Sequence, residues 1–246
     1  MNTGKENAAA GGTTNNNDTS LEVDSIEELA LALKPSCNRI CGVEGEILRS
    51  DLRIPTLGIV QGVGPLADLF RAGNIVLGGQ TLLSSGPEPV ALTALSIRKF
   101  YQEKLPYSSE QRPMLFEKQS DVIAAGGTLD WGADGTPPTY EAVIEAHLLI
   151  RRPDGVEGAF PYSFGGADYA AARWFVRGMA YKTAGRTLLT TASQFATGQN
   201  PLYSARFELT TTKQRVRNGN NVAVPQLRVA GKNDEAFCAW VAGLQC

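Results

Sequence analysis

The sequence predicts a β-rich α+β fold, and three observations lead there. Glycine and proline are frequent, 26 and 13 in 246 residues, which favours many turns and short strands over long helices. Between these breaks apolar residues recur mostly at every second position, the period of a strand with one face toward a core. Turn sequences such as Gly78-Gly79 and Asn218-Gly219-Asn220 separate these runs at hairpin spacing. The result is roughly seven short strands, many of them antiparallel neighbours, with two or three helices, and either an elaborated barrel or a sandwich satisfies that pattern.

Taken in order, residues 1–20 are Gly, Thr, Asn and Ala without periodicity, and such a segment cannot bury enough apolar area to offset its ordering entropy, so a disordered tail is expected. Residues 21–46 are expected to be an acidic helical arm, with Ile26, Leu29, Leu31 and Leu33 as the apolar positions and Asp24 or Ser25 as cap. Residues 47–246 are expected to form a single β-rich domain. Within it, Leu57, Ile59 and Val63 alternate among glycines and Pro55, which reads as a short edge or bulged strand. Residues 73–83 read as a hairpin turned by Gly78-Gly79. In the next strand Val90, Leu92, Ala94, Ser96 and Arg98 share one face and Ala91, Thr93, Leu95, Ile97 and Lys99 the other, and it ends in a basic-aromatic tip of Arg98, Lys99, Phe100 and Tyr101.

Residues 104–140 are irregular and read as a long surface loop. The run AVIEAHLLIRR places Ile144, Ala146, Leu148 and Ile150 on one face and Glu145 and His147 on the other, a half-buried strand, which turns at Asp154-Gly155 so that Ala159 to Phe164 returns as its partner. The block ADYAAARWFVRGMAYKT has helical spacing, with Tyr169, Ala172, Phe175, Val176 and Met179 as its buried stripe and Arg173 and Arg177 four apart on one face. Two strands follow, Leu202–Lys213 and Val222–Val229, and then a helix, Asp234–Leu244, sealed by Phe237, Trp240, Val241 and Leu244.

Charge is distributed unevenly. Residues 160–230 hold nine bases against two acids, whereas residues 1–46 carry a net −5. Bases and aromatic rings interleave in the basic block, a combination that suits a flexible polyanion with exposed bases, because cations follow phosphates while rings stack on any base. The candidate nucleic-acid-binding residues are Arg98, Lys99, Phe100, Tyr101, Arg173, Trp174, Arg177, Lys182, Arg186, Arg206, Lys213, Arg215 and Arg217. The alternative is that the rings are core and the bases a solvated face.

Signals for catalysis are sparse, so no enzyme and no cofactor is expected. Nucleophile–base arrangements need a histidine, and His147 is the only one. AYKTAGRT, residues 180–187, departs from the phosphate-loop pattern at Ala180 and Arg186 and follows a predicted helix. Cys37-x3-Cys41 lacks two further partners for a structural zinc, and no metal is expected. No apolar run reaches the roughly 20 residues that cross a bilayer, and the N-terminus lacks a signal-like core, so a cytoplasmic protein without membrane partners is expected.

Four blocks together, LRIPTLGIVQGVGPL, the strand ending RKFYQE, YSFGGADYAAARWFVRGM and PLYSARFELTTTKQRVRNGNNVAVPQLRVAG, resemble a family of tailed-phage single-stranded DNA-binding proteins over about residues 50–244. The resemblance implies an OB-like antiparallel barrel, sequence-tolerant binding of single-stranded DNA in phage replication and recombination, and the host cytoplasm as its compartment. Many such binders end in an acidic tail that recruits partners, whereas this chain ends CAWVAGLQC and has its acids near the N-terminus. Replication or recombination proteins are therefore expected to meet that arm, if they bind by charge. The competing function is a phage structural or assembly protein whose basic face meets a protein or packaged DNA.

Overall fold

A computed structural model describes residues 53–106, 109–216 and 219–244. The acidic arm, Cys37, Cys41 and Arg217 lie outside the described residues. Among the described residues ten strands form two antiparallel sheets. A three-stranded sheet has the order β1 (Leu57–Ile59), β2 (Ile75–Leu77), β3 (Thr81–Ser84). A seven-stranded sheet contains β4 (Val90–Glu103), β5 (Leu115–Phe116), β6 (Tyr140–Arg151), β7 (Tyr162–Phe164), β8 (Ala167–Arg177), β9 (Ala205–Arg215) and β10 (Asn221–Lys232). Its order is β10-β9-β4-β6-β8-β7, with β5 added to the far end of β4. Three α-helices accompany them: α1 (Gln119–Ala124), α2 (Arg186–Thr197) and α3 (Glu235–Leu244). The fold is β-rich, and its large sheet does not close into a barrel.

The first hairpin forms where the glycines call for it. Gly78 and Gly79 both take positive φ, 61° and 70°, the mirror-image turn that matches strand twist, although Leu77 pairs with Thr81 so that Gln80 joins the loop. Val63 does not continue β1 and is exposed.

The core lies on one face of the large sheet. Val90, Leu92 and Ala94 of β4, Ile144, Ala146, Leu148 and Ile150 of β6, Ala170, Ala172, Trp174 and Val176 of β8, and Phe207 and Leu209 of β9 pack there against Leu57, Ile75 and Leu77 of the small sheet and Leu188 of α2. The block 167–177 is thus a strand, not the expected helix. Alternation of the buried set Ala170, Ala172, Trp174, Val176 with Tyr169, Ala171, Arg173, Phe175, Arg177 has period two, and pairing with β6 outweighs the helical preference of its alanines. The helix comes next instead, as a π turn over Tyr181–Gly185 running into α2. Gly185 lets that turn lie on the sheet, because a Cβ there would stand 3.0 Å from the Ile144 side chain. AYKTAGRT therefore follows a strand, yet it is itself helical, with Ala184 and Gly185 buried.

Three further expectations change. A register shift between Ala94 and Ser96 makes Leu95 a bulge, so Ile97 joins the core side and Ser96 and Arg98 move to the face of Thr93. Strand β7 pairs with β8 through a Gly165-Gly166 turn, not with β6. Residues 104–140 contain β5 and α1, whose Val122 is buried with Tyr101 and Tyr140.

The stretch around β1 meets the β10 edge of the large sheet and the length of β8 that β7 leaves uncovered. At β8 the Arg173 amide donates to the Pro55 carbonyl at 2.9 Å. At β10 the Gln61 side chain accepts from the Ala223 amide at 3.1 Å and donates to its carbonyl at 2.9 Å. Backbone groups that an open edge would leave unpaired are satisfied there by one short segment.

Trp174 is 3 % exposed in this core. Trp174→Ala should lower unfolding free energy by about 3–5 kcal/mol, the usual cost of truncating a buried aromatic, measured as a shifted denaturant midpoint with an unchanged slope.

Candidate nucleic-acid interface

The opposite, outer face of the large sheet carries the polar and aromatic side chains. Strand alternation together with the register sets Ser96, Arg98 and Phe100 of β4 beside His147, Glu145 and Val143 of β6, and these beside Arg173, Phe175 and Arg177 of β8. Arg206 and Glu208 of β9 and Arg228 of β10 lie further along the same face.

Its centre is a buried polar chain. Ser96 Oγ and His147 Nδ1 share a hydrogen bond of 3.0 Å, His147 Nε2 stands 3.8 Å from Glu145 Oε1, and Arg173 Nη1 donates to the same oxygen at 3.5 Å. Glu145 and His147 are only 6 % and 4 % exposed, so the strand expected to be half-buried is covered on both faces. The residue types are those of a nucleophile–base–acid relay. The ion pair of this chain is that of Glu145 with Arg173, while the His–Glu separation exceeds hydrogen-bond reach. The Arg173 guanidinium also lies 4.9 Å from the Phe175 ring centre, within cation–π range. Phe175 is 38 % exposed, and the expected assignment of Trp174 to the surface and Phe175 to the core is reversed.

The predicted site residues divide into groups. Arg98, Arg173, Arg177 and Arg206 share the outer face. Arg98 is paired with Glu117 at 2.7 Å and Arg173 with Glu145, whereas Arg177 and Arg206 have no ion pair among the described residues. Phe100 and Tyr101, like Trp174, are buried, which leaves their rings no face for a base. Lys99, Lys213 and Arg215 are exposed and alternate to the core-side direction near strand ends. Burial pulls the Lys99 ammonium down, but the Tyr101 and Tyr181 phenols beside it outweigh that and hold it above the usual lysine value. Lys182 and Arg186 sit on the π turn and α2, on the core side of the sheet. The twelve described candidates therefore do not form one continuous surface.

Sequence reading missed the concave part of the outer face. Helix α3 packs on it through Phe237 and Val241 against Leu95 and Leu149, with Tyr162, Phe164, Tyr169, Tyr203 and Trp240 around them. Phe164 stacks on Trp240 with ring centres 5.1 Å apart, and Tyr169 lies 5.6 Å from Phe237. Beside these rings opens a cleft of about 330 Å³ whose rim carries Arg151, Arg206 and Lys232. Asn233 braces its floor, donating to Thr93 Oγ1 at 3.1 Å and to the Tyr203 carbonyl at 2.8 Å. Asp234, the one carboxylate of the lining, is engaged as the cap of α3 by the Phe237 amide at 2.7 Å. Burial raises the Tyr169 phenol above its ordinary value, with Arg151 acting against the shift and Asp234 with it. Arg151 and Lys232 lie outside the basic sequence block, and only pairing of four distant strands brings them to Arg206.

Among the described residues no group of three or more His, Cys, Asp or Glu is placed to hold a metal, and no helix is long and apolar enough to cross a membrane. Fold and site together define a β-rich protein with a cationic, aromatic sheet face. Compared with known proteins, the chain matches no protein-family model, no curated protein and no solved structure.

Arg173→Ala would strand the Glu145 carboxylate in its enclosure. A loss of about 1–3 kcal/mol is expected, the cost of an unsatisfied buried group. Replacing Glu145 by Gln in the same chain should recover part of it, read from paired unfolding curves as a coupling between the two positions.

Proposed function

We propose that the outer face of the seven-stranded sheet binds single-stranded DNA with little regard to sequence. The observation that carries this reading is the placing of Arg151, Arg177 and Arg206 on one face, with Lys232 lining the cleft at the end of β10, none with an ion pair among the described residues, beside the partly exposed rings of Phe164, Phe175, Tyr169 and Trp240. Unpaired cations can exchange counterions for phosphates, and the rings offer stacking surfaces indifferent to base identity.

The finer parts of the reading rest on the family resemblance: an OB-like origin for the curved antiparallel sheet, a place in phage replication and recombination, and work in the host cytoplasm. In this reading the acidic segment 18–28, with five acids in eleven residues, competes with DNA for the cationic face or recruits a replication or recombination protein. Tethering supplies it at high effective concentration.

Anisotropy of a labelled oligo-dT at several salt concentrations tests the proposal directly. Arg177→Ala should flatten the dependence of log affinity on log salt by about 0.7, the increment per single-strand phosphate contact. Phe175→Ala should cost about 1–3 kcal/mol of binding with the slope nearly unchanged. An oligonucleotide that does not bind, or both variants binding as the parent does, would refute it. Deleting residues 1–33 should tighten binding at low salt if the acidic segment competes for the face.

A further inference from the structure

We infer that the cleft under α3 is a site for a single nucleoside phosphate unit, its phosphate held by Arg151, Arg206 and Lys232 and its base laid along Phe164 and Tyr169. This deepens the reading of the outer face as a DNA-binding surface and rests on it, but the cleft can be tested separately. Its volume of about 330 Å³ falls at the lower end of the range of small-molecule sites. A flat stacking surface has no need of such a concavity.

Three features specify the ligand. The rim is cationic: Arg151 and Lys232 have no carboxylate partner among the described residues, and Arg206 makes only a 3.3 Å contact to the Ala230 carbonyl. Side chains held this way are free to bind a phosphate with charge-assisted hydrogen bonds. The wall is aromatic and rigid, since Phe164 and Tyr169 are each packed against Phe237 and Trp240. The floor is preorganised by Asn233, so binding costs little ordering there. The same chemistry can come from a free mononucleotide, from the phosphorylated 5′ end of a strand or from an internal residue of one.

Calorimetric titration of the full chain with thymidine 5′-monophosphate provides the test, with competition by oligo-dT carrying either a 5′-phosphate or a 5′-hydroxyl. The mononucleotide should bind, and Arg151→Ala and Lys232→Ala should each weaken it about tenfold. Both cations are exposed, so the variants should melt as the parent does, and Arg151→Lys should restore part of the affinity. Stronger competition by the phosphorylated oligonucleotide would assign the cleft to strand ends. Equal competition would assign it to internal residues, and competition by neither to free nucleotide. If the mononucleotide fails to bind at millimolar concentration, or binds the Arg151 and Lys232 variants as tightly as the parent, the inference is overturned even though oligo-dT binding still responds to Phe175. Mononucleotide binding without any oligonucleotide binding would instead sink the sheet-face reading and leave the cleft standing.

Discussion

The structure depends on the enclosure of β6 on both faces. Its core side, Ile144 to Ile150, meets the helical segment and the small sheet, and its outer side carries Val143, Glu145, His147 and Leu149, all buried. Burial of a carboxylate and an imidazole on a strand is costly unless they find partners. Ser96 supplies one to His147 Nδ1 and Arg173 one to Glu145, from the strands on either side, while His147 Nε2 has no hydrogen-bond partner among the described residues. The polar chain consequently ties the register of β4, β6 and β8 to charge as well as to packing: a one-residue slip would bury Glu145 against apolar neighbours.

That arrangement has a consequence for the outer face. Arg173 is drawn inward to Glu145, Arg98 is held by Glu117, and Arg228 by Glu208. These arginines are paired within the protein itself, whereas Arg151, Arg206 and Lys232 line the cleft without an ion pair among the described residues. Helix α3 covers part of the face with an aromatic cluster but leaves the cleft beside it, so the same helix that buries Leu95 and Leu149 provides one wall of a cationic site.

Much of the fold was legible where a single element carries its own signal. Alternation in AVIEAHLLIRR places its two faces as observed, Gly78-Gly79 and the glycine of Asn218-Gly219-Asn220 turn the chain, and the Phe237, Trp240, Val241 stripe marks α3. The block 167–177 was misread because its small residues fit both a helical and a strand period. Only the neighbouring strand β6, whose amides need partners, decides between them. The β4 bulge left no sequence signal that exchanges Ile97 with Ser96, since both orders alternate.

What the sequence by itself determined is the inventory: a β-rich chain, turns at the glycines, an excess of positive charge after residue 160 and rings set among the bases. Tertiary structure decided which of those groups meets solvent. Trp174 and Phe175 are adjacent and both aromatic, and the side of β8 that faces the core settles that one is packed and the other exposed. Arg151, Arg206 and Lys232 are separated by dozens of residues and converge because β6, β9 and β10 belong to one sheet. Charge and aromaticity are properties of residues and can be counted along a chain, whereas a site is a property of distances in space, which strand order and register alone establish.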